Sequence, residues 1–313
     1  MPSSGGGMEI KMLDTISDFH KRFGENGTPV DYVFCPAPLV LFGTGAKDVP
    51  VPETVLALSF GTGCAYRVRG DGRIVLASSE TDTAPSINVC SIGSVCGKNG
   101  SDGIFSAMRA LPCPLSGAEL LICSDVSAPE FAPEKLCALL AEAKASGANL
   151  SAKTLLCAAH ADARYIISLC SAKALRLNPA TLDYAEIKCS MPGKKIVIAK
   201  ISAGVKIKQP PHDFSQRERV RGEAAMAALA YADTAALGKL MLDSGSDRLA
   251  TRRAGGTGEL FKIAARLAPS TVLADFSGIA SLVDDGELDD FILVCGDSYE
   301  KKTGTRPAFY ISD

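Results

Sequence analysis

The chain has 313 residues, of which 47% are apolar, and its 33 basic and 35 acidic residues give a formal net charge of −2. This balance excludes a protein that binds nucleic acid mainly through its phosphates, and the apolar content excludes a disordered chain. No apolar run approaches the roughly 20 residues that span a bilayer, and the opening MPSSGGG lacks the features of a signal peptide, so we expect a cytoplasmic protein without a membrane partner.

The N-terminal part of the chain predicts one helix followed by a sheet. Residues 1–8 are rich in Gly and Ser and are expected to form a disordered leader. Apolar residues three or four apart over 10–23 predict an amphipathic helix. Short β-rich runs over 30–78 predict strands, and Gly70-Asp71-Gly72 predicts a hairpin turn between the last two of them.

The rest of the chain alternates between helix and strand patterns. Helices are predicted near 102–110, 133–145, 151–170, 214–232, 233–243 and 256–268, and strands near 118–123, 182–189, 194–201, 291–296 and 308–312. Because helices and strands interleave throughout, the sequence predicts an α+β protein. We place a lobe boundary near residue 190, which gives lobes of residues 9–190 and 191–313.

The eleven cysteines do not indicate a disulfide framework. Their number is odd and most of them lie in apolar runs, as do Cys123, Cys137, Cys157 and Cys295, so we expect small buried side chains. No two cysteines have the Cys-x-x-Cys spacing, and the three histidines lie far apart along the chain. The sequence therefore predicts no metal site.

Three stretches of the sequence are similar to a known family. They are FHKRFG (19–24) with LSFGTGCAYRVRGDGRIVLASS (58–79), QRERVRGEAAMAALAYADTAALGKLMLDS (216–244) and YEKKTGTRPAFYIS (299–312). They resemble the first helix and hairpin, the central helices, and the last helix and strand of galactokinases, which are GHMP small-molecule kinases. The resemblance implies a two-lobe architecture, with a ribosomal-protein-S5-domain-2-like N-terminal lobe and a ferredoxin-like C-terminal lobe.

The resemblance also implies where the first motif of the family would lie. That motif resembles Gly-Arg-Val-Asn-Leu-Ile-Gly-Glu-His-Thr-Asp, in which the Arg acts at the phosphoryl group or sugar hydroxyl and the Glu, His and Asp hold the sugar. Aligned on Gly43, this chain has Pro38 at the Arg position, and Thr44, Gly45 and Lys47 at the positions of the Glu, His and Asp. A proline supplies neither a cation nor a side-chain donor.

The second motif of the family is a Gly-rich loop with a Ser cluster, whose backbone amides cradle phosphates at a helix N-terminus. At this place the chain has residues of different chemistry, namely Pro129, Glu130, Phe131, Pro133, Glu134 and Lys135. Prolines remove backbone N–H groups, and carboxylates repel phosphates. Pro133 and Glu134 are also ordinary first-turn residues of a helix, and that interpretation is preferred.

The family's catalytic Asp and its third, Gly-rich motif are also replaced. The window 163–178, where the Asp would fall, holds no acidic residue, and Asp162 is the nearest carboxylate. The third motif maps onto residues 285–291, which include Gly286, Glu287 and Asp289. Without the resemblance, the same residues are typical of a polar turn before a strand, and that interpretation is preferred.

Three functions remain open at this point. The first is a galactokinase-like pseudokinase with a binding or regulatory role toward a small molecule or protein, needing no cofactor. The second is an active sugar 1-kinase with a rearranged site, using Mg-ATP on galactose or a related sugar, with candidate residues Asp125, Lys135, Asp162 and Lys206. The third is an unrelated small-molecule binder that uses the cleft between the predicted lobes.

Overall fold

The structure, a computed structural model, describes residues 6–43, 51–79, 85–88, 100–125, 133–170, 172–201, 212–251, 255–274 and 278–313. The helices are α1 (Gly6–Phe23), α2 (Gly100–Arg109), α3 (Glu134–Ala145), α4 (Ala152–Ala159), α5 (His212–Ala230), α6 (Thr234–Thr251), α7 (Gly255–Leu267) and α8 (Leu288–Thr303). The strands are β1 (Asp31–Phe42), β2 (Glu53–Val68), β3 (Arg73–Ser78), β4 (Ser86–Asn88), β5 (Ala118–Ser124), β6 (Ala174–Leu177), β7 (Tyr184–Ile187), β8 (Lys194–Lys200), β9 (Thr271–Leu273), β10 (Gly278–Asp284) and β11 (Ala308–Ser312). The predicted α+β class is confirmed.

The chain forms two compact units, which we call unit 1 and unit 2. Unit 1 comprises residues 1–37 and 59–170, and unit 2 comprises residues 38–58 and 171–313. This division assigns 38–58 and 171–190 differently from the predicted lobes, whose boundary near residue 190 stays a prediction. Helix α1 already begins at Gly6, so the end of the predicted leader is helical, whereas residues 1–5 lie outside the described residues.

In unit 1 the strand β5 lies between β2 and β3. It pairs antiparallel with β2 and parallel with β3, so the turn at Gly70–Gly72 does not close the predicted hairpin. The close approach of β5 to β3 requires Gly117, which has φ +89°, because a Cβ there would lie 2.9 Å from the backbone nitrogen of Arg73. The hairpin prediction was wrong because a turn signal cannot reveal that a third strand inserts.

Helix α1 is anchored to the same sheet through Arg67. The guanidinium of this buried residue donates to the carbonyl oxygens of Phe23 and Gly24, at 3.3 and 2.9 Å, and so satisfies the end of α1. It also pairs with Glu119 of β5 and lies 5.2 Å from the centre of the Phe19 ring. Arg67 therefore joins the helix C-terminus, the sheet and the apolar layer between them.

Unit 2 contains a four-stranded antiparallel sheet of order β11-β8-β10-β9. Numbered along the chain, this order is 4-1-3-2, with α5, α6 and α7 following the first strand and α8 preceding the last, which is the ferredoxin-like arrangement. The predicted ferredoxin-like sheet is thereby confirmed. The sheet is not the parallel, doubly wound kind.

The predicted strand over 291–296 is wrong, because these residues belong to α8. Phe291, Cys295 and Tyr299 are buried at a spacing of four residues, while Leu293 is exposed. A short apolar run fits either a buried strand or one face of a helix, and its own length does not decide between them. The predicted helix 151–170 likewise divides into α4 and the 3-10 helix Ala163–Leu169.

The cysteines with described surroundings are free thiols. Cys35, Cys64, Cys137 and Cys295 are buried, as expected for small apolar side chains. Cys157 is exposed, which contradicts the expectation for that residue. Cys157 lies on the solvent-facing side of α4. A hydrophobic run reveals such a position only when the periodicity of a helix is applied to it. Within the described ranges, no helix is long and apolar enough to cross a membrane.

A fully buried ion pair lies among the helices of unit 2. Glu218 of α5 and Arg248 of α6 are both 0% exposed, and their charged groups lie 2.9 Å apart. Arg248 also donates to the carbonyl oxygens of Leu41 and Leu273, at 3.2 and 2.7 Å, and Gly43 donates its N–H to Glu218 at 3.3 Å. The pair therefore ties the ends of β1 and β9 to the two helices.

Replacement of Arg248 by Met should lower the free energy of unfolding by roughly 3–5 kcal/mol, because it leaves the Glu218 carboxylate buried without its main partner. The matched control is Arg217→Ala on α5, since Arg217 pairs with Asp213 and Asp247 in exposed positions. Its effect should stay within about 1 kcal/mol. Urea unfolding of the three proteins measures both changes, and equal midpoints for the two variants would contradict the role of the pair.

Glu142 should make stability depend on pH in the sense opposite to most acids. Burial raises its pKa, although hydrogen bonds from Ser116 and Ser146 partly oppose the rise. The folded state therefore disfavours the carboxylate, and the free energy of unfolding should fall as pH rises from about 4.3, the value of an unfolded Glu, through the raised folded pKa. Glu142→Gln should gain stability relative to the parent as pH rises above about 4.3. The exposed Glu186→Gln serves as the control and should show no such trend.

Candidate functional site

A cavity of about 340 Å³ in unit 1 brings together several of the residues singled out from the sequence. It lies between the start of α3 and the end of α4. Its lining consists of Pro133, Glu134, Lys135, Leu136, Ala159, His160, Ala161, Asp162 and Tyr165. Of the candidates for an active kinase, Lys135 and Asp162 therefore share one cavity.

Helix α3 forms one wall of this cavity with its first turn. The helix begins at Glu134 after Pro133, and no side chain caps it by a hydrogen bond. Instead, the Glu134 carboxylate lies in the first turn, where its negative charge is attracted by the positive end of the helix dipole. It also accepts a hydrogen bond from the Ser124 hydroxyl at 3.3 Å. The predicted helix start is confirmed, while residues 127–132 lie outside the described part of the chain.

Lys135 is exposed and its side chain lies against helix α2. A Cβ at Gly103 would lie 3.1 Å from Cε and 3.3 Å from Nζ of Lys135. The bare backbone of Gly103 therefore gives the lysine side chain room to lie beside the cavity. A larger residue at this position would make the end of the lysine side chain shift.

The opposite wall is the connection between α4 and the following 3-10 helix. His160 ends α4 in the left-handed conformation, with φ 51° and ψ 38°. Asp162 then caps the 3-10 helix, because its Oδ1 accepts the N–H of Arg164 at 2.9 Å. Asp162 therefore has the capping role that was considered from the sequence. The 3-10 helix that it caps contains Tyr165, which also lines the cavity.

The charges on the walls favour some ligands over others. Glu134 and Asp162 contribute two carboxylates and Lys135 one ammonium, and the Arg164 guanidinium lies 3.7 Å from the Asp162 carboxylate. The charges around the cavity are therefore balanced, and a polyanion at the start of α3 would still meet the like charge of Glu134. Within the described ranges, no group of His, Cys, Asp and Glu side chains is arranged to hold a metal ion.

Asp125, another candidate, has a structural role at the end of β5. Its Oδ2 accepts hydrogen bonds from Lys11 of α1 at 2.9 Å and from the N–H of Gly61 at 3.2 Å. Its own N–H donates to the Gly61 carbonyl at 2.9 Å. These bonds join the end of β5 to the middle of β2, and Asp125 does not line the cavity.

The remaining predicted positions lie elsewhere in the chain. Pro38 is half-buried within β1, and Thr44, Gly45, Lys47, Pro129, Glu130, Phe131 and Lys206 lie outside the described residues. Gly286 and Glu287 belong to the 3-10 turn Asp285–Glu287, and Asp289 lies in the first turn of α8. The predicted polar turn is confirmed, but the predicted strand after it is wrong, because helix α8 follows the turn. Glu287 also lines a cavity of unit 2.

Sequence reasoning did not assign His160 and Tyr165 to a site. His160 was considered only as a metal ligand, and Tyr165 lies in a window that was searched for acids alone. No local pattern marks them, since they reach the cavity through the break after α4 and the new helix that follows it. The only signal is Asp162 two residues after His160, because Asp commonly caps a new helix.

Comparisons with known proteins place the fold. No family model matches the chain, and no curated protein matches it. A crystal structure of galactokinase from Lactococcus lactis, complexed with galactose, matches with a TM-score of 0.77 and 16% identity over 96% of this chain and 97% of that one. Mevalonate kinase from Methanococcus jannaschii matches with a TM-score of 0.61 and 11% identity, over 92% and 98% of the two chains.

Homoserine kinase from Cytophaga hutchinsonii also matches, with a TM-score of 0.58 and 14% identity over 92% of this chain and 96% of that one. These proteins are GHMP-family kinases, so the chain has the GHMP kinase fold. The resemblance drawn from the sequence is confirmed at the level of fold. Identity this low shows the fold alone.

Asp162→Ala should lower the free energy of unfolding by roughly 0.5–2 kcal/mol, because it removes the cap of the 3-10 helix. Asp162→Asn retains an acceptor oxygen and should lose only a few tenths of that amount. Thermal unfolding of both variants measures the difference. If both variants lose the same stability, the capping role assigned to Asp162 is wrong.

Proposed function

We propose that this chain is a galactokinase-like pseudokinase that acts by binding a ligand in a regulatory role and no longer transfers phosphoryl groups. The observation that carries the proposal is the start of α3. There the family's phosphate-binding amides would lie, and this chain places Pro133 and the Glu134 carboxylate. That carboxylate already occupies the positive end of the helix, so the attraction for an external phosphate is lost.

The described residues do not fit Mg-ATP. Pro133 has no N–H to offer a phosphate, and a phosphate oxygen about 4 Å from Glu134 would meet a repulsion of roughly 4 kcal/mol at an effective dielectric near 20. Asp125 is bound to Lys11 and Gly61, which gives it a structural use. No step of phosphoryl transfer is therefore derived for this chain.

The unit 1 cavity supports the binding role. Its volume of about 340 Å³ lies within the range of roughly 300–1,000 Å³ that is usual for small-molecule sites. It combines apolar walls at Leu136 and Ala159 with polar groups at Glu134, His160 and Asp162. The balanced charges around the cavity favour a neutral small molecule as the ligand.

One observation favours the alternative, an active sugar kinase with a rearranged site. Lys135 and Asp162 line the same cavity, and a kinase needs a cation for the transferred phosphoryl group and a carboxylate near the acceptor hydroxyl. In that case the cofactor is Mg-ATP and the substrate is galactose or a related sugar. The Glu134 carboxylate at the start of α3 and the bonds of Asp162 to Arg164 weigh against this alternative.

The purified protein should neither phosphorylate galactose nor be stabilised by Mg-ATP. A ligand at a hundred times its Kd stabilises a fold by about 2.7 kcal/mol, which in a chain of this size raises Tm by roughly 2–4 °C. We expect no reproducible shift with millimolar Mg-ATP. The Lactococcus lactis galactokinase, assayed in parallel with radiolabelled ATP and galactose, provides the positive control.

The variants Asp162→Asn and Lys135→Met distinguish the two functions. If labelled phosphate appears on a sugar, and if Asp162→Asn abolishes it while the protein stays folded, the pseudokinase proposal fails and the alternative replaces it. A Tm increase of several degrees with Mg-ATP that Lys135→Met removes has the same meaning. Activity that both variants retain would come from a contaminating kinase, and the proposal would then stand.

A further inference from the structure

A second cavity, of about 430 Å³, lies in unit 2 and plays no part in the proposed function. Its walls are the first half of α6, the turn between α7 and β9, and the end of β10 with the 3-10 turn that follows. The side chains that matter for recognition are Lys194, Lys239, Leu242, Leu267, Asp284 and Glu287. The volume is in the usual range for a small-molecule site.

The frame of this cavity is closely packed. A Cβ at Gly238 of α6 would lie 2.9 Å from the Cβ of Ser270, so the glycine lets the helix approach the turn before β9. The Ser270 hydroxyl in turn donates to the carbonyl oxygen of Leu282 in β10. Helix, turn and strand are therefore held in place before any ligand binds, which reduces the entropy lost on binding.

Two of the four charged side chains neutralise each other. Lys194 of β8 and Asp284 of β10 face each other in the sheet register, and their charged groups lie 2.7 Å apart. Lys239 and Glu287 are exposed, and neither forms an ion pair or hydrogen bond with any residue that the structure describes. The lining thus presents one cation and one anion that are open to a ligand.

The rest of the lining is apolar. Leu267 is 39% exposed although it is a large hydrophobic residue, and Leu242 is half-buried on the facing helix. Pro269 and Val283 complete this part of the wall. A ligand that covered Leu267 would remove apolar surface from water, and such burial is favourable in proportion to its area.

We propose that this cavity binds a small zwitterion, an α-amino acid with an aliphatic side chain. The ligand carboxylate pairs with Lys239, its ammonium group pairs with Glu287, and its side chain packs on Leu242 and Leu267. A simple anion would satisfy Lys239 but leave Glu287 facing like charge, and a simple cation would have the converse defect. A molecule with both charges complements the lining completely.

Isothermal titration calorimetry of the full chain with L-leucine tests the site. Saturable binding is expected, and Lys239→Ala and Glu287→Gln should each weaken it about tenfold or more, since each removes a charge-assisted hydrogen bond. Ala235→Phe, on the exposed face of α6 that lines the cavity, should block binding by filling it. The control is Lys262→Ala on α7, whose lysine pairs with Glu259 outside the lining and which should bind as the parent does.

Isovalerate and isoamylamine carry the same side chain with one charge each, and both should bind at least about tenfold more weakly than L-leucine. Equal binding of either analogue would overturn the zwitterion assignment. Absence of saturable L-leucine binding at about 10 mM would overturn the site itself. Equal affinities of Lys239→Ala and Lys262→Ala would do the same. Because none of these three outcomes involves Mg-ATP or phosphoryl transfer, failure here leaves the pseudokinase proposal untouched.

Discussion

The Glu218–Arg248 ion pair is the interaction on which the organisation of unit 2 depends. Removing two charges from water is unfavourable, and the mutual attraction of the two groups, with the bonds to Leu41, Leu273 and Gly43, compensates for it. Burial alone would raise the pKa of Glu218, but the charge and hydrogen bond of Arg248, with a further bond from Arg221, lower it. The pair is therefore charged at neutral pH, and its bonds fix the ends of β1 and β9.

Unit 1 illustrates how the requirements of packing determine residues near the ends of its strands and helices. The strands need apolar residues at buried positions, and β5 is buried from Ala118 to Ile122 whether or not a phosphate lies at its end. The polar residues that follow it serve the scaffold: Asp125 ties α1 to β2, and Glu134 begins α3. Packing and phosphoryl transfer are separate constraints on the same elements.

The two cavities differ in how far the scaffold already uses their charged side chains. In unit 1 the scaffold already engages both acids, since Asp162 is bound by Arg164 and Glu134 by Ser124. In unit 2 the cross-strand pair of Lys194 and Asp284 neutralises itself and leaves Lys239 and Glu287 for a ligand. The difference between the two sites follows from which charges the secondary structure has already used.

The sequence by itself determined the α+β class, the helices α5, α6 and α7 and the last strand, because apolar periodicity and the three galactokinase-like stretches depend on local residues. It also located the start of α3. Only the tertiary structure decided that β5 inserts between β2 and β3, that Phe291 to Gly296 form helix and not strand, and that Lys135 and Asp162 share a cavity. These outcomes depend on contacts between residues distant in sequence. Hydrophobic periodicity and turn signals are local and do not report such contacts.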